Sequence, residues 1–526
     1  MVKEAARIII NGSRFMTYAR ILRSVAVTAF AGWLFAAGAQ GQSIAVPWSG
    51  LGHDPQHTAL SRFTANAMNR IVWQAPMDLN PQYDGNDLYI HYGSPLVTRS
   101  NTVLIPVKTW AWGGFKVEGH SSTDGTLIWT QATDYILPSH DWLPSCGIAL
   151  SPKNRLYIPG AGGTVYYRDA PDAAASGTGQ IAFYGMANYA ADPATYNANV
   201  QINTPITVDR YGDIFFGFQV SGTTEAGLQS GIARISSSGS GTWIAATAAA
   251  GDANIVKVAM NCAPGLSNDH QTLYIAVSEG TYSPGYLLAL DSRTLAPLAK
   301  VRLKDVQYPG NDALVNDDGT ASPTVGPDGD VYYGVLENPP LSNHDRGWML
   351  HFDRTLTQSK PAGAFGWDDT ASIVPASAVP SYSGTSAYLV LTKYNNYADP
   401  GIGGDGVNKV AILDPNATES DPVTKAAVMK EVITIAGVTP DTEFLAWAPN
   451  AVREWCINSA VVDPASKCAI VNSEDGKVYR WDFTTNTFTQ TVTLTPGVGE
   501  AYTPSLIGPD GTVYVINNAT IFAVGP

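Results

Sequence analysis

One pattern recurs along this chain and limits what it can fold into: a small residue, often followed by proline, then a strand, a tight turn, and a second strand rich in Tyr, Val and Ile. The copies run Ser94-Pro95 to Val107, Gly147 to Ile158, Thr204-Pro205 to Phe218, Ala263-Pro264 to Val277 and Ser322-Pro323 to Val335. They continue as Ser372 to Leu391, Ser459 to Val471, and Thr503-Pro504 to Ile516, which makes eight. Their spacing is about 45 to 60 residues, with one wider gap between the sixth and seventh. Gly326-Pro-Asp-Gly329 and Gly508-Pro-Asp-Gly511 supply the positive φ that a tight strand reversal needs. Two further short segments follow each hairpin, so the unit has four strands, as in a propeller blade. The last unit stops after three strands at Pro526, while Asn69 to Pro76 reads as an unattached strand ahead of the first hairpin. Pairing them closes the ring and leaves no open sheet edge. The expectation is an all-β, eight-bladed propeller of four-stranded antiparallel blades. Seven blades is the alternative, should the count slip in the wide gap.

Composition agrees with many short strands: 50 Gly, 34 Pro, 25 Tyr and 13 Trp in 526 residues, with 14% charged. A net charge of -14 repels phosphate backbones, so nucleic acid is excluded as a partner and anionic membranes are disfavoured. At the N-terminus, Arg20 and Arg23 precede an apolar run from Val25 to Ala37 that ends in small residues. This reads as a signal peptide over residues 1 to 41, with Met16 an alternative start that would leave 1 to 15 outside the protein. The run is too short for a membrane span. Residues 42 to 526 then form a single propeller domain, secreted or periplasmic, with no membrane span and expected as a monomer. In an oxidising compartment Cys146, Cys262, Cys456 and Cys468 form either two disulfides or four buried thiols, and the pairing stays open.

The segments Gly285-Tyr-Leu-Leu-Ala-Leu-Asp-Ser-Arg-Thr-Leu295 and Ser122-Thr-Asp-Gly-Thr-Leu-Ile-Trp129 resemble the repeat of the pyrroloquinoline-quinone (PQQ) propellers, in which an Ala-Leu-Asp stretch precedes a Trp-bearing strand. The likeness covers nearly all of the chain after residue 41, though Asp353-Arg-Thr-Leu and Asp482-Phe-Thr-Thr lack its glycine and tryptophan. The resemblance implies the fold. For quinoprotein dehydrogenases it also implies PQQ held between a tryptophan floor and a vicinal Cys-Cys disulfide, with Ca²⁺ fixed by Glu, Asn and Asp. The sequence has neither a Cys-Cys pair nor a Cys-x-x-Cys-His haem signal, so a PQQ dehydrogenase is the least favoured reading.

In a propeller, the loops entering the innermost strands and those joining strands two and three share one face. Here they are long: Thr109 to Gly114, Ser278 to Tyr282, Glu337 to Asp345 and Lys393 to Lys409. Elaborated loops on a rigid ring are where binding residues sit. The expected ligand-binding set is Trp110, Trp112, Trp142, Trp367, Tyr394, Asn395, Asn396, Trp455, Asn458 and Tyr502, because rings stack on the apolar face of a sugar and amides bond its hydroxyls. Packing between blades is the competing role for each. If the protein is catalytic, the acid and base candidates are His91, Tyr92, His140, Asp141, Asp368, Asp369, Tyr394 and Glu500. Asp399, Asp405 and Asn408 form an oxygen-rich, glycine-kinked stretch that could hold Ca²⁺, without the alternation of an EF-hand. The functional expectation is an exported binding module for a carbohydrate or a cell-envelope protein. A polysaccharide lyase or glycoside hydrolase on the same scaffold is the alternative.

Overall fold

A computed structural model describes residues 46–526 apart from 85–86, 141, 143, 145, 318, 320, 358, 458 and 498–503. Eight antiparallel blades follow one another, as the repeats require; six are four-stranded, and in blades 3 and 4 the innermost strand is split into two short pieces, Val200–Ile202 with Thr207–Val208 and Lys257–Val258 with Gly265–Leu266. Blade 1 is built from Leu96–Val97, Thr102–Trp110, Gly113–Ser121 and Leu127–Thr133. The same plan repeats through blade 7, whose strands are Val461–Asp463, Cys468–Asn472, Lys477–Asp482 and Thr487–Thr493. In blade 8, Leu506–Ile507, Val513–Asn517 and Thr520–Gly525 are joined by Arg70–Pro76, paired from Arg70 with Gly525 to Pro76 with Thr520. The expected closure of the ring by the first strand is what the pairing shows. The wide gap between the sixth and seventh repeats holds no hidden blade. It holds the long outer strands of blade 6, Lys409–Ser420 and Ala427–Ala436, and a loop over residues 437 to 460.

Each innermost strand has only two to four residues in regular pairing and is buried on both faces, so it reads as small and β-branched residues: Leu96–Val97, Thr207–Val208, Thr324–Val325. Its inward edge carries unpaired N–H groups, which a channel of bare protein would leave unsatisfied. The segment Trp48 to Ala59 crosses the channel and supplies the missing acceptors. The N–H groups of Val97, Leu150, Leu266, Val325, Ile373 and Val462, from six different blades, donate to the carbonyls of Trp48, Ser49, Pro55, Gln56, Thr58 and Ala59 at 2.7 to 3.4 Å. Left-handed φ angles at Gly52, His53, His57 and Ala59 curl this segment into a compact plug. Asp54 braces it by accepting from the N–H groups of Gln56 and Thr58 and from the Thr58 hydroxyl. Asn66 then meets Gly511 in the turn between the first two strands of blade 8, so the plug lies toward the face opposite the long loops.

All four cysteines are free and buried, which settles the alternative left open by their number. Burial in apolar surroundings pushes the Cys262 thiol up to about 12 and raises that of Cys146 further. No helix among the described residues is long and apolar enough to cross a membrane.

Candidate functional site at the propeller axis

Strand order places the loop joining strands two and three of every blade on the same face as the loop that enters the next blade. The Trp110 to Gly113 turn and the 394 to 409 loop therefore share a face, as the sequence requires. Fourteen large apolar side chains are exposed among the described residues, and eleven belong to connections on this face: Leu79, Tyr83, Trp110, Trp112, Ile136, Val256, Tyr282, Tyr308, Leu341, Val438 and Trp447. Chance would spread them more evenly. An exposed apolar set concentrated on one face marks a contact surface.

From this rim a line of rings descends to the axis. Trp112, 52% exposed, meets Tyr89 edge-on at 6.1 Å between centroids. Tyr89 stacks on Trp142 at 4.8 Å, and Trp142 stacks on His91 at 5.8 Å with planes 14° apart. Tyr89 and Trp142 are half-buried, and His91 is 3% exposed. The alternation of Tyr89, Ile90 and His91 explains the placement, since every second side chain of an extended run points the same way.

Below the rings lies a buried polar cluster drawn from several blades. Asn261 Nδ2 is 3.4 Å from His91 Nδ1. Lys393 Nζ pairs with Asp368 Oδ2 at 3.4 Å, both side chains almost wholly buried. Asp368 holds a left-handed φ of 55°, and Asp369 beside it is 1% exposed with Oδ2 lacking a partner. Strained backbone and unsatisfied buried oxygen are both costly and tend to gather where function demands them. Burial lowers the His91 pKa to about 4, with Lys393 adding to the shift and Asp368 opposing it. Burial likewise holds the Asp369 carboxyl well above the usual carboxylate range, aided by Asp368. Burial works against the Lys393 charge, but Asp368 and Asp369 outweigh it, so its pKa is raised. At neutral pH the axis thus presents a neutral imidazole and a lysine cation, beside a carboxyl group whose pKa is raised by burial. Groups with pKa values driven apart in this way are the raw material of acid–base chemistry.

Not every residue expected at the site is there. Tyr92 is 4% exposed and its hydroxyl is spent on Asp78, which also pairs with the buried ammonium of Lys108. Tyr394 is 5% exposed, lies under the Arg346 guanidinium, and has its hydroxyl pKa raised by burial. Trp455 is buried against Tyr479 and Phe488, and Asn395 is spent on its backbone, so these two bind blade 6 to blade 7. His140 hydrogen-bonds the Pro138 carbonyl. Trp110 stands 62% exposed on the rim, and Trp367 is half-buried beside the axial aspartates. Asp405 is hydrogen-bonded within its own loop to Asn396 and Val407, and Asn408 to Asn396 and to the Val452 carbonyl of the following loop. Burial raises the Asp399 carboxyl, with Asp441 and Glu443 adding to the shift. Asp141, Asn458, Glu500 and Tyr502, like the segment read as a signal peptide, lie outside the described residues. Lys393, Asn261 and Tyr89 were not anticipated at the site. A lysine inside the apolar strand Tyr388–Tyr394 is the signal that points to the first, and the position just ahead of each repeat would have given Asn261.

The class is now defined: an eight-bladed β-propeller with an aromatic ramp leading to a buried polar axis. The sequence matches no family model and no curated protein. Among solved structures, the chain is similar to a europium-containing methanol dehydrogenase, with a TM-score of 0.52 and 11% identity over 90% of this chain and 89% of that one. It is similar to the quinohemoprotein alcohol dehydrogenase of Comamonas testosteroni, at 0.52 and 13% over 92% and 81%. BamB from Moraxella catarrhalis aligns at 0.43 and 12% over 86% and 98%. What the two dehydrogenase structures establish is the shared fold. The cradle that the family resemblance implies for PQQ and Ca²⁺ is not reproduced by the side chains here. Asn261, Asp368 and Trp142 stand at the axis, but no two cysteines are adjacent, and Lys393 already occupies the Asp368 carboxylate.

Proposed function

We propose that this chain is an exported binding propeller that takes an oligosaccharide along the ramp from Trp112 through Tyr89 and Trp142 to His91. The observation that carries the reading is that ramp: ring planes in sequence, exposed at one end and buried at the other, beside amide and carboxyl groups. Sugar rings stack on aromatic faces through their C–H groups, while Asn261 and Asp369 offer the donors and acceptors that hydroxyls need. The plug of residues 48 to 59 lies toward the opposite face, so a ligand would come and go by the loop face.

Calorimetric titration with neutral and uronate oligosaccharides tests this, using Trp112→Ala and Trp142→Ala, with Tyr211→Ala on the opposite face as a control. Loss of a stacking partner worth about 1 kcal/mol weakens binding roughly fivefold. The reading fails if no glycan binds, or if the control variant loses as much affinity as the ramp variants. A second reading, an enzyme acting on polysaccharide at the axis, is favoured by the unpartnered Asp369 oxygen, on a carboxyl whose pKa burial raises, near the Lys393 cation. Release of reducing ends or unsaturated products from a bound glycan, abolished in Asp369→Asn, distinguishes it from binding alone.

A further inference from the structure

On one wall of the axial pit, the segment entering blade 7 crosses the turn between that blade's second and third strands. Glu454 N–H donates to Glu474 Oε1 at 3.1 Å, Glu474 N–H donates to the Glu454 carbonyl at 3.2 Å, and the Ser473 hydroxyl donates to that carbonyl at 2.7 Å. These bonds fix the two glutamates side by side. Cys456 follows Glu454 by two residues in an extended run, which returns its side chain to the same side. The Cys456 sulfur and one oxygen from each glutamate all lie within 4.8 Å of one another, with Cys456 2% and Glu474 8% exposed.

The surrounding charge is out of balance. A single guanidinium nitrogen of Arg453 faces Asp441 at 3.3 Å, Glu443 at 3.2 Å and Glu474 at 3.5 Å, and Glu454 adds a fourth carboxyl group. Asp441, on the same nitrogen as Glu474, is 1% exposed, and its second oxygen has no partner. An unpartnered buried carboxylate oxygen in an acid-rich nest is an unmet demand for positive charge. Lys393 reaches Cys456 electrostatically from the axial side but is engaged by Asp368.

We propose that Cys456, Glu454 and Glu474 form a site for a divalent transition-metal ion of the zinc type. The donor set sets the class: Ca²⁺ and Mg²⁺ take all-oxygen shells, whereas one thiolate with two carboxylates suits a borderline-soft cation. Zinc bonds of about 2.0 to 2.3 Å need the three donors to draw in by roughly 1 Å, within reach of side-chain rotation. Coordination releases the thiol proton to solvent. Three protein ligands leave a fourth tetrahedral position facing the pit. This inference is independent of the sugar reading.

The test is a Co²⁺ titration of the purified protein, read by the near-ultraviolet thiolate-to-cobalt absorption and by competition with Zn²⁺. One equivalent should bind with the thiolate band and be displaced by Zn²⁺. The band should vanish in Cys456→Ser, weaken at least about tenfold in affinity in Glu474→Gln, and persist in Cys468→Ser. No thiolate band in the native protein, or a band that survives Cys456→Ser, overturns the proposal. Co²⁺ bound without the band is surface binding and overturns it equally. Circular dichroism melts accompany each variant, and if Cys456→Ser does not fold, unchanged Co²⁺ affinity in Glu474→Gln is the overturning result.

Discussion

Burial shifts both His91 and Asp369 toward their neutral forms, and His91 offers a direct check. A histidine whose pKa falls from 6.5 to about 4 on folding is neutral in both states above pH 6.5, where its contribution to stability is complete. As pH drops below 6.5 the unfolded chain takes up the proton and the folded one does not, so stability is lost progressively down to about pH 4. Imidazole proton resonances followed by NMR should show that the His91 ring does not titrate until below pH 5. A midpoint near 6.5 for His91, assigned through His91→Gln, contradicts the burial argument. The Asp–Thr turns are the second residue-scale feature. Asp291, Asp353, Asp421 and Asp482 each accept from a threonine hydroxyl and N–H two or three positions on. The loss of glycine and tryptophan that blurred the repeat at 353 and 482 leaves this turn intact, because the carboxylate and threonine do the work. Asp482→Ala should therefore cost about 1 kcal/mol in a denaturant melt, while an unchanged midpoint would mean the turn is held by its strands alone. At this scale the sequence exposed local chemistry well. It could not tell Trp142, which meets His91, from Trp455, which packs between blades, since both are tryptophans just ahead of an inner strand.

The plug is the element that sequence reading missed, and the reason is physical. Residues 48 to 59 carry no hydrophobic period and no repeat, because their shape is set by six blades that offer N–H groups inward and not by their own propensities. Even left-handed φ angles at His53, His57 and Ala59 are imposed by that ring of donors. Trp48, fully buried with its ring edge against His53 at 4.9 Å, anchors the start of the segment. Trp48→Ala removes a large side chain from a site with little room to relax, so a loss of about 3–5 kcal/mol is expected. Urea unfolding measures it. A change below 1 kcal/mol would show that the plug is a passenger in the channel. The strands themselves were legible, because eight copies of one pattern reinforce one another, whereas a segment that occurs once has only its own composition to speak for it.

Closure makes the whole molecule one cooperative unit. Thr520–Gly525 is hydrogen-bonded on one side to Val513–Asn517 and on the other to Arg70–Pro76, so this strand carries the sheet pairing that joins the two ends of the propeller in blade 8. Every other blade is closed through sequence-local hairpins. Val524 sits within this strand, fully buried, paired with Ile71 and Val513. Proline there removes an N–H and forces its ring into a central strand, a change worth about 3 kcal/mol or more. If the ring stands or falls together, Val524→Pro lowers the midpoint of a single unfolding transition seen alike by tryptophan fluorescence and circular dichroism. If instead the blades behave as separable repeats, the two probes part: one small early transition for blade 8, and a main one at the native midpoint. The plug favours the first outcome, because it hydrogen-bonds inner strands of six blades and enters blade 8 directly through Arg70–Pro76. Opening blade 8 therefore frees the segment that satisfies the inner edges of the rest, and their buried N–H groups lose their acceptors together.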